Sequence, residues 1–441
     1  MKPLVQSYIK AAAISIRWVL RGACVVLILL LIAWGALHWF IVPRIDEFRP
    51  RLERIASRMA DAPVSIGVVK AQSNGFVPTV SFHDVRVHDP SGRPGLVVPH
   101  MLAAFSVLSL GKGELEQLVI DGVEVELRHT QDGRLLVGGI DSTGDSSSDE
   151  AVADWVFSQP EVLVQNGRVR WVDERRSVPP VVLSGVQFVV RNGFGRHQLR
   201  LDATPESSWG DRFTLIGQFR QSVFAFHPGR WRDWGGQVFA DLGRANVSQL
   251  RQYLDLKDDW GLDIQAGEGA LRFWADVEKG RVTGATADVA LRTVSATFGP
   301  NLAPLAFASL TGRIGWRSPG AGAGMELSTR DLQFVDADGL SWPGGNVQLH
   351  YRDGTGSEPA GGEFTGDRLD LAALAKIAQR LPLPPAVSQR LAEHPVQGLV
   401  ERIEARWDGQ PDAPKDWRLQ TKVRALPWAP CRQRRARMVC P

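Results

Sequence analysis

From Trp417 to Ala425 the chain alternates without error, with Trp417, Leu419, Thr421, Val423 and Ala425 on one side and Arg418, Gln420, Lys422 and Arg424 on the other. Successive side chains of a strand point to opposite faces, so such a segment has one face to bury and one to wet. The same pattern recurs through most of the sequence, as in residues 168–171, where Val169 and Trp171 alternate with Arg168 and Arg170. A chain written this way must build sheet with one apolar face. Two architectures satisfy it: a closed sandwich, and an open curved sheet whose concave face holds lipid tails. Periodicity does not separate them.

Composition supports the β reading, because 44 Gly and 27 Pro are interleaved with Val, Leu and Phe across 441 residues. A chain of this length exceeds one ordinary compact core, so it forms two or three domains or one elongated repetitive body. Strand patterns occupy residues 61–140, a first β segment, and 151–366, a second. The polar, acidic stretch 141–150 between them reads as a flexible linker. Within the second segment Asn166-Gly167 predicts a two-residue hairpin turn, since both central positions of a type I′ turn need positive φ. A helical insert follows over 367–395. Asp370 is placed to cap LAALAKIAQRL there, and a second short helix is expected over 386–393. Further strands fill 396–430.

Gly22–Val42 contains 21 residues with only His38 clearly polar. At about 1.5 Å per residue it reaches roughly 31 Å, the thickness of a hydrocarbon core, which predicts a transmembrane anchor. Residues 1–21 then form a cytoplasmic tail, and the body is exported. Residues 43–60 follow as a juxtamembrane helix, in which Leu52, Ile55 and Met59 make one stripe and Arg51, Arg54 and Arg58 another. That helix either lies on the membrane surface or caps the first strands, and the narrow apolar stripe favours the cap. Cys24 lies in the apolar run and the next cysteines are Cys431 and Cys440, so the body has none, which suits a periplasmic location.

Fifty-one basic residues against 48 acidic give a net charge of +3 with no basic block before the extreme C-terminus, which argues against a nucleic-acid partner. Catalytic, cofactor and metal motifs are also lacking. His83 and His88 are five apart, which places them on opposite faces of a strand. His197 reads as a hydrogen-bonding residue rather than a base. Leu110-Gly111-Lys112-Gly113 lacks phosphate-loop spacing, and GAGAG at 320–324 precedes a strand. The 15 Trp, many beside Gly, fit either indole covers at strand turns or a carbohydrate platform. Residues 431–441 hold four Arg and two of the three Cys, an abrupt shift that reads either as a basic tail for anionic lipid headgroups or, in better accord with the lost alternation, as an out-of-frame tail.

The order of elements in Gln165–Phe219 carries a resemblance: a strand ending in WVDE, a proline pair, a long strand, then NG and HQLRL before a small-residue turn. With VIDGVEVELRHTQDGRLLV, LDLAALAKIAQRLPLP and the N-terminal apolar run, it resembles the YhdP-like members of the AsmA-like family over about residues 10–430. The resemblance implies a mainly β fold: an inner-membrane helix, then an elongated, mostly antiparallel sheet curved into a lipid-binding groove, with a few short helices. It implies no enzymatic activity and no cofactor. Expected partners are phospholipids, the inner membrane and outer-membrane or other envelope proteins. The implied work is phospholipid transport toward the outer membrane and upkeep of that membrane's permeability barrier, with Val169 and Trp171 facing lipid. The rival readings are a periplasmic scaffold of closed sandwiches and a glycan-acting protein.

Overall fold

The computed structural model describes residues 42–424 apart from 251–260, 381–397 and scattered short breaks, together with 17–18, 20–29, 32 and 35. Its strands join in one twenty-stranded sheet. They are β1 (Val64–Asn74), β2 (Val77–His88), β3 (Pro94–Ala104), β4 (Gln117–Asp121), β5 (Glu124–His129), β6 (Leu135–Val137), β7 (Ile140–Asp141), β8 (Glu161–Asp173), β9 (Val181–Gly193), β10 (Arg196–Thr204), β11 (Phe213–Arg220), β12 (Gly235–Asn246), β13 (Leu262–Glu278), β14 (Arg281–Phe298), β15 (Leu305–Arg317), β16 (Met325–Asp336), β17 (Ser341–Arg352), β18 (Gly361–Asp370), β19 (Leu399–Gln410) and β20 (Ala413–Arg424). Within residues 42–424 the α-helices described are α1 (Arg49–Ala60), α2 (Ser147–Ser158), the single turn α3 (Val247–Leu250) and α4 (Leu371–Ala378).

From β8 to β20 every strand pairs antiparallel with the next in sequence. The exception to this order is β8 itself, which lies parallel to β4 over Leu118–Asp121 and to β5 over Glu124–His129. That exception corrects the reading of Asn166-Gly167. No hairpin turn forms there, because β8 runs straight through. Asn166 does take a positive φ of 51°, but as the extra residue of a bulge, where the pairing with β9 shifts on both sides of Gly167. The bulge matches the step from β4 to β5: Gly122 N donates to Gln165 O at 3.0 Å and Arg168 N to Val123 O at 2.8 Å. The sequence correctly marks a left-handed residue, yet a chain reversal is only one of its uses.

Such residues form a band across the sheet. Asp84, Thr293, Asp331 and Arg368 sit inside β2, β14, β16 and β18 with φ between 50° and 56°. A left-handed residue resets the alternation. Phe82 and Val85, three apart, are both buried around Asp84, as are Leu291 and Val294 around Thr293. A left-handed residue or bulge inside a strand bends it locally and raises its twist.

α1 closes the free edge of β1. Ile66 N donates to Glu53 Oε1 (2.9 Å), Val64 N to Ser57 Oγ (2.8 Å), and Arg49 Nη1 to Gly67 O (2.9 Å). Leu52 packs on the core beneath, whereas Ile55 is about half exposed. α2 begins at Ser147, so part of the stretch read as linker is its first turn, where acidic side chains favour a helix N-terminus. Asp370 caps α4 by accepting from Ala372 N and Ala373 N. β3, with prolines at 94 and 99, is the strand whose composition hides it best.

Among the described residues no helix is long and apolar enough to cross a membrane. Of the predicted span Gly22–Val42, residues 22–29 are helical, with Val25, Leu27 and Leu29 more than half exposed, and most of 30–41 lies outside the described residues. The helix expected at 386–393, the phosphate-loop candidate ending at Gly113 and the tail 431–441 also fall outside them.

Candidate functional site

The sheet's two faces differ in chemistry, and the register aligns each into rows. On one face Asp202, Thr214, Asp241, Arg272, Asp288 and Arg313 are consecutive cross-strand partners from β10 to β15. Thr214 Oγ1 donates to Asp202 Oδ1 (2.6 Å), Arg272 Nε to Asp241 Oδ1 (3.4 Å), and Arg313 forks onto both oxygens of Asp288 (2.5 and 2.8 Å). Hydrogen bonds from Arg200 and Arg313 hold the Asp202 and Asp288 carboxyls below the usual carboxylate range. This face carries a ladder of paired charges, beside which Ile216, Phe239 and Trp274 form a shorter apolar row.

On the other face the partner row reads Leu199, Gly217, Val238, Ala275, Ala285, Trp316, Leu327, Leu349, Phe364, Ala405 and Leu419, from β10 to β20. No charged or polar side chain interrupts it. Ten strand spacings of about 4.8 Å make it ~48 Å long. That is about three times the ~15 Å depth of one bilayer leaflet.

What covers this face changes along its length. Over β1–β3 and β8–β10 the chain supplies its own cover: Trp155, Val156 and Phe157 of α2 pack onto a core that includes Phe82, Val98, Val162 and Val190. Farther along, Phe273 is 38 % exposed, Ile314 40 %, Leu419 48 % and Trp417 56 %. Around the bend near β16–β19, Phe334, Trp342, Leu369 and Val400 form a second local core with Ala373 of α4. Outside these two cores the face stays apolar and part-exposed.

The residues singled out in β8 lie where α2's cover ends. Val169 and Trp171 are half-buried, in register with Val125 and Leu127 of β5. Arg168 and Arg170 are exposed beside Glu124 and Glu126, and Arg170 Nη1 donates to Glu126 Oε2 at 3.3 Å.

His197 closes the covered part. It is 3 % exposed and its Nδ1 meets Asn192 Oδ1 at 2.8 Å. Asn192 Nδ2 donates to Gln159 O (2.7 Å), which fixes that amide with its oxygen toward the histidine. Burial pushes the imidazole pKa down. Its surroundings are Trp234 and Phe157, so it acts as a packing residue. His83 and His88 likewise find separate partners, the His100 ring at 4.8 Å and Pro63 O at 3.2 Å.

Two Trp that are not themselves beside Gly in sequence lie over glycines of other segments. A Cβ on Gly362 of β18 would fall 2.2 Å from the Trp407 ring of β19, and one on Gly280 3.2 Å from Trp231. In each case the glycine leaves room for the indole, from the neighbouring strand at Gly362 and from a short 3-10 turn at Gly280. The Nε1 atoms of Trp342 and Trp407 are buried with no hydrogen-bond acceptor among the described residues. Sequence reasoning did not pick out the long row of β10–β20, because its members become neighbours only through register.

The family model described as YhdP protein matches residues 1–436. The chain belongs to the YhdP family. The YhdP match runs from the apolar N-terminal segment through both the covered and the part-exposed regions of the sheet, so these belong to one family unit. No curated protein and no solved structure matches the chain.

Proposed function

We propose that this YhdP-family protein is a non-enzymatic carrier of phospholipid, anchored in the inner membrane by Gly22–Val42 with its N-terminus cytoplasmic and its body in the periplasm. It moves lipid toward the outer membrane and so maintains that membrane's permeability barrier. The observation that carries the reading is the uninterrupted apolar row from Leu199 to Leu419, mostly half-buried and flanked by the exposed Phe273 and Ile314, set back to back with a face that carries a ladder of charges. Apolar surface left in water costs about 25 cal/mol per Å², a cost that acyl chains laid along the apolar row remove. Phospholipid offers those tails while its headgroup stays in water, so no bond need be made or broken.

The test is photo-crosslinking in cells, with the reactive side chain at Phe273 or Ile314, and at Arg272 or Arg313 on the opposite face. Phospholipid should be recovered by mass spectrometry from the first pair only. Val169 and Trp171 compared with Arg168 and Arg170 repeat the test at the margin of the covered region. Equal labelling of both faces, or none on the apolar one, rejects the reading.

A further inference from the structure

Three phenylalanines stand almost wholly in solvent: Phe194 at 98 %, Phe226 at 93 % and Phe224 at 84 % exposure. They share one end of the sheet. Phe194 forms the turn between β9 and β10 with a φ of 48°. The adjoining loop is tied to that turn by Gln221 N donating to Gly195 O (2.8 Å) and closed on itself by Gln221 Nε2 donating to His227 O (2.9 Å). A left-handed backbone is costly for a bulky residue, and an exposed phenyl ring gains nothing in water that offsets it.

Two arginines lie beside these rings. Arg196 and Arg220 are direct cross-strand partners at the same end. Like charges placed opposite each other destabilise a sheet. In the other Arg–Arg register pairs one member is held by a carboxylate: Arg313, opposite Arg330, binds Asp288, and Arg406, opposite Arg418, binds Glu363. Arg196 and Arg220 have no acidic partner among the described residues.

The direction of α1 supplies a third observation. Its first residue, Arg49, reaches Gly67 in mid-strand, and Ser57 reaches Val64 at the start of β1. The chain therefore enters α1 from the side on which β1 finishes at Asn74. Register through β2, β3, β4, β8 and β9 shows that this is the end carrying Phe194. The apolar helical run of residues 20–29 precedes that entry.

We infer that this end of the sheet docks on a bilayer surface containing anionic lipid, with Phe194, Phe224 and Phe226 entering the acyl boundary and Arg196 and Arg220 binding headgroup phosphates. The bilayer is the one that holds the chain's own N-terminal apolar segment. Aromatic rings flanked by arginines suit an interface that is apolar below and anionic above. Docking here does not require the apolar row to carry lipid, so the two readings fail separately.

The full chain, with its native cysteines replaced by serine, is reconstituted into vesicles of phosphatidylethanolamine and phosphatidylglycerol with brominated acyl chains. An environment-sensitive fluorophore is attached at Phe194→Cys, Phe224→Cys or Phe226→Cys. Leu29→Cys reports on the apolar helix and Asp338→Cys on the opposite end of the sheet. Loss of emission at 194, 224 and 226, comparable to that at 29 and absent at 338, is the expected result. Arg196→Glu combined with Arg220→Glu should restore emission at 194 while leaving 29 quenched. Quenching at 29 without quenching at the three phenylalanine positions overturns the inference, as does equal quenching at 338.

Discussion

His197 lies flat on Trp234, ring centroids 4.3 Å apart and planes 11° apart, and has no room to take up a proton cheaply. Its folded pKa is held below the ordinary 6.5 by burial. Below about 6.5 the unfolded chain binds a proton that the folded chain refuses. The stability this site contributes is therefore complete above that value and is lost as the pH falls through it toward the folded pKa. Thermal melts from about pH 8 to about pH 5 should show a decline that is shallower in His197→Phe, which keeps the stack and removes the titration. An unchanged slope in the variant would assign the pH dependence to other groups.

The left-handed band predicts opposite outcomes at two neighbouring positions. Thr293 is β-branched at a φ of 51°, so Thr293→Gly should stabilise by about 0.5–1 kcal/mol after the entropic cost of glycine. At Gly269, with φ 154°, a Cβ would fall 2.1 Å from Ala290 O. Gly269→Ala should destabilise by roughly 2 kcal/mol or more. Urea midpoints measure both. A stabilising alanine at 269 would mean that the strands can separate there without loss.

These bends also explain what the sequence could and could not convey. Alternation showed that Val169 and Trp171 share a face and that Arg168 and Arg170 share the other, because that is a property of one strand alone. It could not show that Phe82 and Val85 are buried together, since Asp84 resets the phase between them. It misassigned Asn166-Gly167 because the residue preference for positive φ is the same in a bulge and in a turn. The long apolar row was hidden for a different reason. Trp316 and Leu327 are eleven residues apart and meet only through the register of β15 on β16, which local pattern does not encode.

On the charged face the pairs should matter little one at a time. Arg313 and Asp288 are both more than a third exposed, so Asp288→Asn should cost under about 1 kcal/mol at neutral pH. Asp288 is held below the usual carboxylate range by its hydrogen bond from Arg313. The pair's contribution is thus present above that range and vanishes as the pH falls through the folded value, so wild type and Asp288→Asn should converge in acid. Arg313 also covers the Trp274 ring at 5.5 Å, so Arg313→Ala should be the more damaging change. Chemical denaturation at neutral and acidic pH checks both statements. A larger loss at Asp288 than at Arg313 would contradict them.

The edge of β1 gives the sharpest test of how the sheet avoids growing. A free strand edge is a template for further pairing, and β1 has no strand on its outer side among the described residues. Its outward Ile66 N–H is buried and satisfied by Glu53 Oε1, which also accepts from Arg49 Nε at 3.2 Å. Glu53→Ala removes the acceptor, which leaves a desolvated donor and should cost about 1–3 kcal/mol. It also frees the edge, so self-association should rise with protein concentration in analytical ultracentrifugation. Glu53→Gln keeps an acceptor at the same position and loses only the charge, and it should stay monodisperse with a much smaller loss of stability. If both variants associate equally, charge repulsion rather than hydrogen-bond satisfaction guards this edge. If neither associates, α1 blocks it by bulk alone.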